Sequence, residues 1–202
     1  MSRLSTTFVL GYHGCDADTA DHAIAGAIDL VESDQSYDWL GPGIYFWESD
    51  PQRAFEWAAW KVRSGKYKRP AVVGAAIDLG NCLDLTQREN LDLLRDAYAS
   101  FEQHQIAAAL PMPENRKAPN STDEDRLLRY LDCAVIRHLH RIVADEKSIE
   151  PFDTVRGMFT EGEHVYPGSA IFEKTHTQIA VRNPACILGV FRPRPYPHSA
   201  GT

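Results

Sequence analysis

WLGPGIYFWESDPQRAFEWAAW, residues 39–60, holds all four tryptophans of a 202-residue chain. A Gly-Pro-Gly turn (Gly41–Gly43) feeds a short β-branched and aromatic run, Ile44-Tyr45-Phe46-Trp47, which reads as a strand. Asp50-Pro51 then reads as an N-cap with proline at the first helical position. The helix it opens runs to about Arg63, where Ser64-Gly65 stops it. Trp57 and Trp60 lie three apart on this helix and are expected to pack into the core. A core needs apolar volume but not this turn, whereas a pocket that stacks a planar ring needs both.

Outward from this unit the pattern stays mixed. Thr6 to Tyr12 is a strand that His13-Gly14 breaks. Asp18 to Val31, with Ile24, Ala27, Ile28 and Val31 at helical spacing, predicts a helix. Ala71 to Asp78 is a buried strand continued through Leu85. Gln87 to about Leu110 reads as a helix, and Pro111 to Thr122 as a loop, the first place to expect disorder. Asp123 to Ala144 is amphipathic, with Leu127, Leu128, Leu131, Val135, Ile136, Leu139 and Val143 toward the core. Thr175–Arg182 and Cys186–Arg192 are two strands joined by the Asn183-Pro184 turn. The tail from Pro193 to Thr202 is expected to fray. Strands at both ends with helices between them predict one α+β domain over residues 1–202.

Composition narrows the function classes. The formal net charge is −7, which disfavours nonspecific binding to nucleic acid or to an anionic membrane. Lys61 to Arg69 carries five of the 21 Lys and Arg and reads as a solvated helix end. No apolar run approaches the ~20 residues of a membrane span, and the N-terminal apolar stretch is short for a secretory signal. Cys15, Cys82, Cys133 and Cys186 are widely spaced, without a CxxC, which points to buried thiols in a reducing compartment. The expectation is a cytoplasmic protein without a metal site or a membrane partner. His138-Leu139-His140 does not alter that, because i and i+2 on a helix point apart; a solvated face is the expectation there.

Three pieces carry candidate chemistry: Tyr12-His13-Gly14, Gly43-Ile44-Tyr45-Phe46 and Gln178-Ile179-Ala180-Val181. Each sets a polar or aromatic side chain at a strand end or beside a glycine. Gly14 lets a ligand approach its N–H and C=O, the two groups a carboxamide such as nicotinamide pairs with. The Tyr45 ring can present its face to a planar heterocycle. His176 shares its sheet face with Gln178, although a surface histidine is the simpler reading. Arg156 is a further cation, in reach of a pyrophosphate or a target.

These pieces resemble the ADP-ribosyltransferases of the poly(ADP-ribose) polymerase and diphtheria-toxin type, whose signature is a His, a Tyr and usually a Glu on three strands. His13-Gly14, Gly43-Ile44-Tyr45-Phe46 with Ala54 in the following helix, Leu79-Gly80-Asn81, and Thr177-Gln178-Ile179-Ala180-Val181 match in order, over about a third of the chain. The chain also resembles a group of uncharacterised bacterial proteins sharing the WLGPGIYF and QIAVRNP pieces. The resemblance implies a split β-sheet with flanking helices and NAD as substrate. It implies that His13 binds the adenosine-side ribose, Gly14 the carboxamide, Tyr45 the nicotinamide ring and Gln178 the nicotinamide ribose. Arg53 stands where the family often has a carboxamide-binding Ser, and Phe55 or Trp57 stands where a second wall of the slot is expected.

One departure matters. Gln178 stands where the family has its catalytic Glu, and an amide brings neither charge nor base. Glu161, Glu163 and Glu173 lie upstream. The implied activity is mono-ADP-ribosylation of a protein or nucleic-acid acceptor, with a toxin or defence role and a cognate antitoxin or immunity protein as partner. NAD glycohydrolysis and NAD or ADP-ribose binding without turnover are the alternatives. The region 87–168 has no counterpart in the resemblance.

Overall fold

A computed structural model describes residues 8–117 and 126–194. The predicted strand start at Thr6 and Thr7, part of the predicted loop, the first residues of the helix predicted from Asp123 and most of the predicted tail lie outside them. In chain order the elements are β1 (Phe8–Asp16), α1 (Ala17–Ile24), β2 (Ile44–Glu48), α2 (Pro51–Arg63), β3 (Pro70–Asp78), β4 (Cys82–Asp84), α3 (Arg88–Ala107), α4 (Tyr130–Asp145), β5 (Thr154–Phe159), β6 (His176–Val181) and β7 (Ile187–Phe191), with a 3-10 turn at Pro184–Cys186. The strands form one seven-stranded sheet in the order β4-β5-β6-β2-β1-β3-β7. β4 and β5 run parallel and the other neighbours antiparallel, so the fold is α+β with a mixed sheet. No helix among the described residues is long and apolar enough to cross a membrane.

Alternation along the strands sorts the core into two layers. Cys15, Phe46, Val73, Ile77 and Ile179 face α1. Leu83, Val155, Ala180 and Tyr45 face the other way, onto Phe101 of α3 and Ile136 and Leu139 of α4. α2 lies on this second face as well: its Ala54 closes on Gly14 and its Trp57 on Trp47. The sequence start of α2 holds: Asp50 Oδ1 accepts the Arg53 N–H at 2.9 Å, with Pro51 behind it.

Several sequence expectations change. α1 ends at Ile24, where Ala27 N–H turns back onto His22 O (2.9 Å); Ile28 and Val31 are 43% and 78% exposed. β1 does not stop at His13 but runs on to Asp16, because β3 pairs with it along its whole length. β4 is not a continuation of β3: it crosses to the far edge and pairs with β5. β5 itself, Thr-Val-Arg-Gly-Met-Phe, was hidden by its central Arg and Gly. α4 begins at Tyr130, and Leu128 instead bridges Arg116. Trp60 is half exposed, with Lys61 Nζ over its ring. His138 and His140 are buried rather than solvated. None of the four cysteines is in a disulfide, and three are buried.

Candidate functional site

The strands carrying Gln178, Tyr45 and His13 are consecutive in the sheet, β6-β2-β1. Their register decides which side chains meet. Trp47 lies opposite Tyr12 on one side and opposite Gln178 on the other. Tyr12, Gly14, Tyr45, Trp47, His176 and Gln178 therefore share the face that α2, α3 and α4 cover. His13 belongs to the opposite face, with its ring centroid 5.7 Å from that of Phe46.

His13 still reaches Tyr45, through the backbone. Its Nδ1 donates to the Tyr45 carbonyl at 2.8 Å, which leaves Nε2 as the acceptor. Burial pushes the imidazole below its usual pKa, and the bond to Tyr45 opposes that. The contact marks a break in the sheet. β1 and β2 pair only at Gly11–Glu48 and Tyr12–Trp47, whereas β1 and β3 pair over nine residues. Ala17 N–H donates to Arg69 O in register with the β1–β3 ladder, so residues 17, 15 and 13 bond to β3. Gly14 is in the alternate set, with Leu10, whose carbonyl accepts Ser49 N–H from the β2 side. The N–H and C=O of Gly14 thus face β2 at the point where the ladder has opened. Its partner in register is Tyr45, whose carbonyl has gone to His13.

The glycine itself has a packing cause. A Cβ at position 14 falls 2.2 Å from the Ala54 carbonyl oxygen, a backbone atom of α2. Gly14→Ala is expected to push α2 off β1 and to cost about 1–3 kcal/mol, the usual range for overpacking. Urea unfolding reads this directly; a loss below about 0.5 kcal/mol, the ordinary surface value, rules out the tight helix contact.

Tyr45 also has work within the fold. Its hydroxyl accepts Leu40 N–H (3.0 Å) and donates to Gly41 C=O (2.8 Å), so it pins the Gly-Pro-Gly turn that precedes it. Burial, then the nearby Asp38 charge, raises its phenol well above the usual range. Gly41 supplies the φ of +76° that the turn requires. Tyr45→Phe is expected to leave the Leu40 N–H and Gly41 C=O unpaired and to cost about 1–3 kcal/mol in urea unfolding. An unchanged midpoint rules out that role.

Gln178 Oε1 accepts Trp39 Nε1–H at 2.6 Å. Trp39 lies over Gly157, the residue opposite Gln178, and edge-on to Phe159 at 5.1 Å. Its indole therefore stands directly before the amide. Arg53 is held in an acidic bracket, NH1 to Glu56 (2.7 Å) and NH2 to Glu161 (2.8 Å). Of the three upstream glutamates, Glu161 alone is drawn in, while Glu163 and Glu173 are exposed. Phe55 is 39% exposed on the outer side of α2, whereas Trp57 packs against Trp47 with centroids 5.9 Å apart. Arg156, a sequence candidate for an anion, is already engaged by carboxylates. It forks onto Glu48 (2.6 and 3.2 Å) and bonds Asp84 (2.9 Å).

The sequence carries no signal that Trp39 is the partner of Gln178. His176, for which the sequence favours a surface position, is 7% exposed. Its Nδ1 donates to Lys174 O (2.6 Å), its ring stacks on Phe159 at 5.6 Å, and its Nε2 is buried without a hydrogen-bond partner. The only signal available was the period of two that sets it beside Gln178. No family model, no curated protein and no solved structure matches the chain.

Proposed function

We propose that this chain is an NAD-dependent ADP-ribosyltransferase with an ADP-ribosyltransferase-like sheet, transferring one ADP-ribose to a protein or nucleic-acid acceptor. The observation that carries the reading is the opening between β1 and β2, where the N–H and C=O of Gly14 face the gap. One donor and one acceptor on a single residue complement a carboxamide, which offers the reverse pair. Tyr45 borders the same opening, and Gln178 lies one strand further on. His13, with an acceptor Nε2, suits a ribose hydroxyl. The chemistry is cleavage of the nicotinamide–ribose bond with attack at the anomeric carbon, and it requires no metal. A toxin or defence role, with an antitoxin or immunity partner, rests on the resemblance alone.

A second reading has its own observation. Gln178 carries no charge and its Oε1 is already taken by Trp39, which favours a module that binds NAD without turnover. Incubating the pure protein with labelled NAD separates the readings. Label on a macromolecule together with free nicotinamide supports transfer. Free ADP-ribose identifies a glycohydrolase, and calorimetric binding without either product identifies the module. Absence of NAD binding overturns all three.

A further inference from the structure

The segment Lys61-Val62-Arg63-Ser64-Gly65-Lys66-Tyr67-Lys68-Arg69 carries five cations and no carboxylate. It ends α2 and leads into β3. Gly65, at φ +73°, turns it, and the Lys66 and Tyr67 N–H groups both come back onto the Lys61 carbonyl (2.9 and 3.3 Å). The fold thus gathers the charges at the helix end instead of spreading them. Burial lowers the pKa of Lys61, and the Lys66 charge lowers it further. Arg69 pairs with Asp18 (3.1 Å), whereas Arg63, Lys66 and Lys68 are exposed and have no carboxylate partner among the described residues.

An aromatic ring stands among these charges. Trp60 is half exposed and precedes Arg63 by three residues, so the two share a face of α2. Lys61 Nζ is shared between the Trp60 and Trp57 rings, at 5.4 and 4.5 Å from their centroids. Trp57 itself packs on Trp47 and Tyr67 (5.9 and 6.0 Å), so Trp60 is tied through that ammonium to a fixed aromatic layer. An exposed, held ring bordered by cations matches a single-stranded nucleic acid, whose bases stack while its phosphates meet the charges. A duplex or an anionic membrane presents a broad charged surface and also meets the acidic remainder of a chain of net charge −7. A single strand is narrow enough to meet the patch alone. An acidic peptide uses the cations but leaves the Trp60 ring without a stacking partner.

We propose that Trp60 and the cations of the 61–69 segment hold a single-stranded nucleic acid, and that this strand carries the group that accepts ADP-ribose. The docking surface stands by itself; the acceptor assignment rests on the transferase reading and narrows it. Placement supports the link. Asp16, the last residue of β1, accepts the Lys68 and Arg69 N–H groups on Oδ2 (2.5 and 3.2 Å). It lies two residues, ~7 Å along the strand, from Gly14. Gly14 in turn lies against Ala54 and Ala58 of the helix that carries Trp60. The patch therefore borders the open ladder. In the transfer, an N–H or O–H group of the strand bonds to the anomeric carbon through its nitrogen or oxygen and gives its proton to solvent. The carbon–nitrogen bond to nicotinamide breaks, and its electron pair neutralises the pyridinium. The products are the ADP-ribosylated strand, nicotinamide and one proton.

The test titrates a fluorescent mixed-sequence oligonucleotide, as single-stranded DNA and as RNA, with the full chain and reads anisotropy. Three phosphate contacts set a salt slope of about −2, so affinity is expected to fall about 20-fold between about 50 and 200 mM salt. Trp60→Ala is expected to weaken binding ~5–100-fold, the scale of one stacked base. Lys66→Gln with Lys68→Gln is expected to bring the slope to about −0.7. Lys147→Gln, an exposed cation beyond α4, should keep both affinity and slope. No binding at low salt, equal affinity for the duplex, or equal competition by polyglutamate overturns the docking surface. So does capture by phosphatidylserine vesicles without capture of the strand, or binding indifferent to the variants. Should Trp60→Ala not fold, the lysine pair, at exposed positions, decides. A second arm adds labelled NAD, and label is expected on the strand. Strand binding with nicotinamide release but no label on the strand overturns the acceptor assignment and leaves the NAD site standing. Absence of NAD binding overturns the transferase reading and the acceptor assignment together, while the titration still reads the docking surface.

Discussion

Arg156→Met is expected to destabilise the protein by about 3–5 kcal/mol, the cost of removing one partner from a buried ionic group. Arg156 sits on β5 and reaches across β6 to Glu48 at the end of β2, while its third nitrogen holds Asp84 on β4. Glu48 and Asp84 have side chains only 16% and 12% exposed. Without the guanidinium, two largely buried carboxylates lose their shared cation. Arg156→Lys should fall between the two proteins, because an ammonium supplies charge without the fork.

The pH dependence separates this from lost packing. In wild type, burial works to raise Asp84, but bonds from Thr86 and the Arg156 charge outweigh it and hold the carboxyl low. Its contribution is therefore present above the usual carboxylate pKa of about 3.9 and is lost as pH falls through the lower, folded value. In Arg156→Met the Asp84 carboxyl keeps its burial without the cation and favours its proton, so the variant recovers as pH falls toward about 5. Urea unfolding of both proteins at pH 7 and pH 5 checks it. A stability gap of the same size at both pH values identifies lost packing alone and removes the ionic account.

Arg156 also shows where sequence reasoning reaches its limit. A strand with an arginine and a glycine at its centre reads as loop, since the carboxylates that neutralise Arg156 lie 108 and 72 residues away. Gly157 makes sense only once the Trp39 ring is laid over it. The start of α4 has a similar cause. Its first N–H groups are met by Asn115 Oδ1, which accepts from Leu131 (2.9 Å) across 16 residues, so no local capping signal marks Tyr130. Where a boundary is set locally it was legible. Asp50-Pro51 and Ser64-Gly65 bound α2 at Pro51 and Arg63, as the sequence predicts. At the candidate site, the order of His13, Tyr45 and Gln178 along the chain was legible, and so was their being on three separate strands. The open ladder at Gly14 was not, because it depends on Tyr45 giving its carbonyl to a side chain of β1. Trp39 closing over Gln178 spans 139 residues and leaves no trace in periodicity.

His140→Met is expected to remove about 3 kcal/mol of acid sensitivity. His140 of α4 is 8% exposed, and neither ring nitrogen has a hydrogen-bond partner. Its neighbours include Phe152, at 6.1 Å between centroids, and Gly41 of the Gly-Pro-Gly turn. Burial, then the Arg182 charge, lowers its pKa from the usual 6.5 to about 3. The sign follows from proton counting. Between these two values the unfolded chain binds a proton that the folded chain refuses, so folding weakens as pH falls from 6.5 toward 3. At one unit per 1.36 kcal/mol, the penalty reaches about 3 kcal/mol by pH 4. Above the unfolded value the group costs nothing by this route, although its two unpaired nitrogens still carry a desolvation cost at neutral pH. Burial lowers His13 and His176 as well, and carboxylates titrate in the same range, so total acid stability does not isolate His140. The difference between wild type and His140→Met does, since the other groups are common to both. Unfolding free energies from urea titrations at half-unit steps are expected to show that difference growing steadily from about pH 6.5 to pH 4 in favour of the variant. A difference that stays constant with pH means that folded His140 takes up its proton like an exposed histidine, and the burial of the ring is then wrong. The same residue bears on the candidate site. His140 packs under Gly41, whose carbonyl receives the Tyr45 hydroxyl, so a proton forced onto His140 disturbs the turn first and, through it, strand β2 of the proposed NAD site. NAD binding in wild type should therefore weaken on acidification before the core unfolds, and His140→Met should delay that loss.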